Sequence, residues 1–285
     1  MNTVRPFTAV NRGFTLVEMV VVIAITAIIA GMIGSFIRWP VNAYFDTERR
    51  ARLTEAADTA LRRISRDLRT ALPNSVRVVA AGATTYLEFI PTVGGGRYRN
   101  YPTAAGTGNP LDFNVADASF DVVGPVPVYA AGNSVVIYNM GPGTFSDAYA
   151  GTNRAAVTSA NATMPAAPLA FSTDAAPHTI TLAAATLFPS TSPSSLFQIV
   201  GTPVTYACTP GGGLLRYAGY AFAAAQPTPP AVVPAALVNG VTACTIDYDP
   251  VVARVRTALV TLTIDLAEQG ETIRMVHQMH VLNTP

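Results

Sequence analysis

The sequence predicts an α+β fold in which a long N-terminal membrane-spanning helix continues into a second helical stretch packed on an antiparallel β-sheet globular domain. Three observations predict it. An almost unbroken apolar run from Met19 to Ile37 follows a short leader that carries Arg5 and Arg12. Beyond that run, apolar residues recur at spacings of three and four as far as Leu72, the period of a helix with one buried face. After Asn74 the pattern changes to short β-type runs separated by Gly, Pro, Asn and Ser, in a chain holding 21 Gly and 22 Pro.

The 24 residues from Phe14 to Ile37 hold a single charge, Glu18. At roughly 1.5 Å per residue they make a helix of about 36 Å, long enough to cross a bilayer. A bare carboxylate at the centre of a membrane helix costs roughly 2.5–3.5 kcal/mol, so Glu18 needs a reason to be there. Arg5 and Arg12 lie ahead of the helix, and the positive-inside bias keeps them in the cytoplasm and sends the C-terminal bulk across the membrane.

Trp39 falls where an aromatic ring favours the membrane interface, and Pro40 is set to kink or loosen the helix. The helix then resumes. Leu53, Ala57, Ala60, Leu61, Ile64, Leu68, Ala71 and Leu72 form its core-facing stripe. Eight Arg and five acids between Arg38 and Leu72 occupy its other faces, either as a solvated surface with local ion pairs or as a docking face for a neighbouring subunit. Pro73-Asn74 ends it, because proline cannot continue a helix.

Strands are predicted at Ser75 to Val79, Thr85 to Ile90, Ser134 to Tyr138, Thr179 to Leu182, Phe197 to Val200 and Val204 to Cys208. Thr92 to Pro110 and Gly141 to Pro168 read as long loops, the kind that tend to be functional or mobile. Gly213 to Tyr217 and Ala243 to Tyr248 bracket a Pro/Ala-rich extended excursion, Ala225 to Ala236. Thr257 to Leu266 and Glu271 to Leu282 alternate about Glu268-Gln269-Gly270, a hairpin.

The two cysteines, Cys208 and Cys244, lie in strand-like segments. In an oxidising compartment they read as one disulfide closing a 36-residue loop, worth roughly 3–4 kcal/mol; two free buried thiols are the alternative. Only 12% of residues are charged and the net charge is +1, with all 18 basic residues Arg, a balance from which no nucleic-acid partner follows. His277 and His280 are three apart in a predicted strand, on opposite faces, and cannot readily chelate one ion. Asp112, Asp117 and Asp121, and Asp147 with Asn153, are candidates for Ca²⁺, but neither group matches a loop of known ligand spacing. With no nucleophile elbow and no phosphate loop, the expectation is a protein that is not an enzyme and has no cofactor and no metal site.

The stretch Arg12-Gly13-Phe14-Thr15-Leu16-Val17-Glu18, followed by MVVVIAITAIIAG, resembles the type IV prepilin N-terminus: glycine before the cut, phenylalanine after it, glutamate fifth in the mature chain. The resemblance implies that a membrane-embedded prepilin peptidase cuts between Gly13 and Phe14 and methylates the new amine. In an ordinary secretory signal the apolar stretch precedes the cut and is discarded, whereas here it is retained. The expected organisation is therefore a leader (1–13), a transmembrane and assembly helix (14–39), an amphipathic continuation (40–73) and a periplasmic β-rich domain (74–285). Glu18 of an incoming subunit would meet the free ammonium of Phe14 on its neighbour and select the axial stagger; the alternative is that Glu18 lies at the headgroup level.

Later segments resemble, more narrowly, the MshO proteins of the mannose-sensitive haemagglutinin pilus system. They include Ala71-Leu72-Pro73-Asn74-Ser75-Val76-Arg77-Val78, Leu111-Asp112-Phe113 with Ser119-Phe120-Asp121-Val122, Val135-Val136-Ile137-Tyr138-Asn139, Ala148-Tyr149 with Asn153-Arg154-Ala155, both cysteine segments and His277-Gln278-Met279-His280-Val281. What this implies is a minor pilin-like subunit of the bacterial inner membrane, with other major and minor pilin-like subunits, the inner-membrane assembly platform and the lipid bilayer as partners. The J-type minor pseudopilin of type II secretion shares the layout and is the runner-up. A third reading makes the loops at 92–110 and 141–168 a displayed adhesive module.

Overall fold

The computed structural model describes residues 13–158, 171–248 and 257–284, with backbone alone at 37–41 and 257. The expectations for the leader up to Arg12, for the side chains of Trp39 and Pro40 and for the end of the 141–168 loop lie outside the described residues. The chain divides after Ala51 into two compact units, each described by itself.

Helix α1 (Leu16–Arg69) runs across that division, and its backbone is helical through position 40. In the first unit its residues are exposed on every side from Leu16 to Phe36. In the second unit the predicted stripe is the buried one: Leu53, Ala57, Ala60, Leu61, Ile64 and Leu68 all lie in one hydrophobic cluster with the first sheet. Burying Leu61, Ile64 and Leu68 stabilises by about 1.5–3 kcal/mol each. A polar clip adds direction, since the Tyr206 hydroxyl donates to Asp67 Oδ2 at 2.7 Å and Arg216 Nε donates to the same oxygen at 3.1 Å.

The helix ends at Arg69, three residues before the expected Leu72, and the reason is competition from the sheet. Leu72 N donates to Ile90 O and Thr92 N donates to Thr70 O, both at 2.7 Å, so residues 70–72 bond to a neighbouring strand turn instead of continuing the helix. Asn74 then takes a left-handed φ of 59°, a conformation asparagine tolerates better than most residues.

The strands are β1 (Arg77–Ala81), β2 (Thr84–Phe89), β3 (Thr92–Tyr98), β4 (Asp117–Pro125), β5 (Ser134–Val136), β6 (Arg154–Ala156), β7 (Phe171–Ser172), β8 (His178–Thr186), β9 (Leu196–Val200), β10 (Val204–Cys208), β11 (Gly212–Ala218), β12 (Ala235–Tyr248), β13 (Thr257–Glu268) and β14 (Glu271–Leu282). They build two seven-stranded sheets in which every pairing is antiparallel. The first has order β1-β2-β10-β11-β12-β13-β14 and carries the helix; the second has order β6-β5-β9-β3-β4-β7, with β8 beside β4.

A single ribbon joins the sheets. β2 and β10 pair in the first sheet, β3 and β9 in the second, and Gly201 N donates to Pro91 O at 2.9 Å where both chains turn from one to the other. Leu72, Ile90, Val136, Ala148, Tyr149 and Val200 fill the corner with their own small core. The α+β architecture is thus as predicted, but the β body has two sheets.

The expectation of a loop from Thr92 is overturned by β3. Its Gly94-Gly95-Gly96 has low strand propensity, yet a Cβ on Gly96 would lie 2.9 Å from the Phe197 ring and one on Gly95 3.0 Å from Phe197 O. Glycine is what lets this strand approach β9. Within the other expected loop, 141–153 is irregular, held by its own side chains, and leads into β6.

Candidate functional site at the N-terminal helix

Gly13, Phe14 and Thr15 precede the helix in non-helical backbone. A Cβ at Gly13 would meet nothing within 4 Å, and Phe14 is 73% exposed. Thr15 caps the helix: its Oγ1 accepts from Glu18 N at 3.2 Å, and its carbonyl accepts from Met19 N at 3.2 Å. Thr15-Leu16-Val17-Glu18 therefore has the spacing of a capping box, a signal present in the sequence itself. Capping leaves the Glu18 carboxylate at the first turn, where the helix dipole favours a negative charge.

From Leu16 to Phe36 the helix has 21 residues, about 31 Å at roughly 1.5 Å per residue, and none is buried. Val20, Ile23, Ile28, Met32 and Ile33 are all half or more exposed. A helix that is apolar all round and covered by nothing in its own unit requires lipid or other helices around it. Gly31 and Gly34 have open space about them, so a neighbouring helix can approach the backbone closely there.

In the second unit, Cys208 and Cys244 are joined as a disulfide, with a sequence separation of 36. The carboxylates that are candidates for Ca²⁺ accept hydrogen bonds from the chain itself. Asp147 accepts from the backbone N–H of Gly143, Tyr149 and Ala150; Asp121 accepts from Asn109 N and Thr179 Oγ1 and lies 3.6 Å from Arg99 Nε. Asp117 accepts from Asp112 N and Ser119 N, and Asn153 donates to Ile137 O and Ser146 Oγ. Among the described residues no group of three or more His, Cys, Asp or Glu is placed to hold a metal ion. His277 and His280 lie on opposite faces of β14, as their spacing required.

The arginine-rich helix face has the local ion pairs of a solvated surface. Arg49 meets Asp46 at 2.8 Å and Arg62 meets Asp58 at 2.5 Å, while Arg63, Arg66 and Arg69 are exposed. Such pairs contribute about 0–1 kcal/mol each. Elsewhere, a cleft of about 620 Å³ lies between residues 100–114 and 191–193, walled by Tyr101 and Phe113 with Asn100, Asp112, Asn114 and Thr191. Tyr101 is 78% exposed beside it.

Against known proteins, the model of the prokaryotic N-terminal methylation motif matches residues 9–34. No curated protein and no solved structure matches the chain. The matched stretch covers Gly13, Phe14, Glu18 and most of the exposed apolar helix. Motif and helix together support a membrane-anchored, type IV pilin-like or pseudopilin-like protein, and the motif implies processing by prepilin peptidase and association with other pilin subunits.

Proposed function

We propose that this chain is a minor pilin-like subunit, cut between Gly13 and Phe14 and drawn into a type IV fibre of the mannose-sensitive haemagglutinin type through its N-terminal helix. The observation that carries the reading is the wholly exposed apolar helix Leu16–Phe36, with Glu18 as its one charge, most of it within the methylation motif. In lipid the helices associate by close packing, and Glu18 sets the stagger by pairing with the Phe14 amine of a neighbour, each charge relieving the other's burial. Nearly 30 kDa is bulky for a repeating subunit, which favours a priming or tip-proximal place. The inner membrane, with the β body in the periplasm, is the setting this implies.

Glu18→Gln and Glu18→Ala test the mechanism. Both variants are expected to be cleaved at the wild-type rate, while the incorporated fraction, measured in sheared fibres against the membrane pool, drops at least tenfold. Wild-type incorporation of both variants removes the registration role, and a product that keeps Met1 in cells with active peptidase removes the reading altogether.

A displayed binding surface is a second reading, favoured by the cleft beside Tyr101. Its aromatic walls and single carboxylate suit a neutral or cationic ligand better than an anion. Tyr101→Ala should then lower surface adhesion severalfold and leave fibre number unchanged; unchanged adhesion counts against it.

A further inference from the structure

Strand β3 has a neighbour on both sides for only part of its length. It pairs with β9 from Thr92 to Arg97 but with β4 only at Arg97 and Tyr98, because β4 turns away at Gly124-Pro125 to pair with β7. The next step of the β3–β4 ladder would set Gly95 against Pro125, and proline has no N–H to give. Tyr98 N donates to Ser195 O, so Tyr98 and Gly96 turn their backbone groups to β9. Gly95 turns its own N–H and C=O to the side that β4 has left, and it is exposed there.

A groove runs over this stretch in two parts. One, of about 380 Å³, is lined by Gly95, Gly96, Arg97, Val123 and Pro125; the other, of about 460 Å³, by Arg69, Pro73, Val93 and Leu282. Thr92, Gly94 and Gln198 line both. From Thr92 to Arg97 the floor is about 17 Å long at roughly 3.4 Å per residue.

The lining selects the occupant. Its only charges are Arg69 and Arg97, one in each part, and no acid lines either. Among the described residues neither arginine has an ion pair. Arg69 also offsets the negative end of α1, so Arg97 is the stronger anion contact. At the floor, Thr92 Oγ1 and Gln198 Oε1 are buried with no hydrogen-bond partner among the described residues, which leaves capacity for donors brought from outside. Val93, Val123 and Leu282 are 53%, 42% and 66% exposed and offer apolar area. A peptide in extended form supplies negative side chains, N–H donors and apolar side chains together. An acidic saccharide has no ring to stack on, since Phe197, the one aromatic residue in the lining, is 1% exposed.

We propose that this groove binds an acidic protein segment in extended conformation, its backbone paired with Gly95 and its carboxylates held by Arg97 and Arg69. The blocked peptide Ac-Glu-Thr-Val-Thr-Val-Thr-Glu-NH2 is a suitable probe, because its two acids lie about 20 Å apart on one face of a strand. Titration calorimetry on the full-length chain in a neutral detergent, with no fibre assembly required, is expected to show binding of this peptide and none of its counterpart with Lys for both Glu. Arg97→Glu should weaken binding at least tenfold and Arg69→Glu severalfold; both residues are exposed, so the fold is kept. Thr92→Val and Gln198→Met each remove a buried unpartnered atom, so they should leave the melting temperature unchanged or raised while still weakening the peptide severalfold. A merely structural role for these atoms predicts the reverse. Binding of neither peptide, equal binding of both, tighter binding of an oligogalacturonate, or acidic binding unmoved by Arg97→Glu overturns the proposal. Self-association of the chain that Arg97→Glu abolishes would overturn it in favour of a second copy.

Discussion

Arg77→Ala is expected to lower the unfolding free energy by about 3–5 kcal/mol, the usual loss when one partner of a buried ion pair is removed. Glu88 is fully buried on β2 and pairs with Arg77, whose Nε lies 2.6 Å from Oε2. Arg77 also donates to the carbonyls of Ala223 and Ala224 at 2.9 and 2.6 Å and lies 3.6 Å above the Tyr149 ring. The Tyr220 hydroxyl donates to Glu88 Oε1 at 2.8 Å and contacts Thr205 Oγ1. One guanidinium thus ties β1 to β2, to the irregular loop at 141–153 and to the excursion between β11 and β12. Equilibrium denaturation of the full-length chain in detergent checks the value, and a loss below about 1 kcal/mol would contradict a network of this kind.

The same network fixes a pH dependence. Burial is the largest influence on Glu88 and lifts its pKa above the usual 4.5, against the opposing pull of Arg77 and Tyr220. The folded chain therefore holds this proton more tightly than the unfolded chain. Between the unfolded value and the raised folded one the native state binds more protons, so stability from this group is complete below the unfolded value and is lost as pH rises through the folded one. Glu88→Gln should flatten the slope in that window, and Arg77→Ala should steepen it.

These partners show which parts of the molecule sequence can reveal. The helix stripe from Leu53 to Leu68 and the β13–β14 hairpin were legible because each follows a local period, 3.6 or 2, and each buries the residues that carry it. The corner ribbon was not. Arg77 meets Ala223 across 146 positions, and no local pattern marks such a contact. β3 was hidden by three glycines whose role is close approach to β9, and β4 by an alternation that mixes Asp121 into the core as the acceptor for Asn109 and Thr179. At the N-terminus the motif is plain in the sequence, but the Thr15 cap is not, because a cap depends on the backbone geometry at the helix start and an apolar run does not specify it.

Replacing both cysteines by alanine is expected to remove about 4 kcal/mol, the chain-entropy value for a loop of 36 residues. Where the bond sits adds a more specific expectation. Cys208 ends β10, Cys244 lies in β12, and between them come the whole of β11 and the Pro/Ala-rich excursion. The β11–β12 ladder is the most irregular in this sheet, with register shifts at Gly212/Gly213 and Leu214/Leu215 against one, at Val241/Ala243, in β12–β13, and Gly213 lies so close to Val238 O that a Cβ would be only 2.8 Å from it. Backbone pairing alone holds β12 weakly at this point, and the disulfide bypasses it by joining β12 directly to the strand next to β2. β13 and β14 hang from β12, so without the bond their amides should exchange faster than those of β1, β2 and the second sheet. Hydrogen exchange on the full-length chain with and without a reductant separates this from a uniform loss of stability: equal acceleration everywhere would mean that the bond restrains only the unfolded chain, and acceleration confined to β12–β14 would mean that it also secures the half of the sheet that ends at β14.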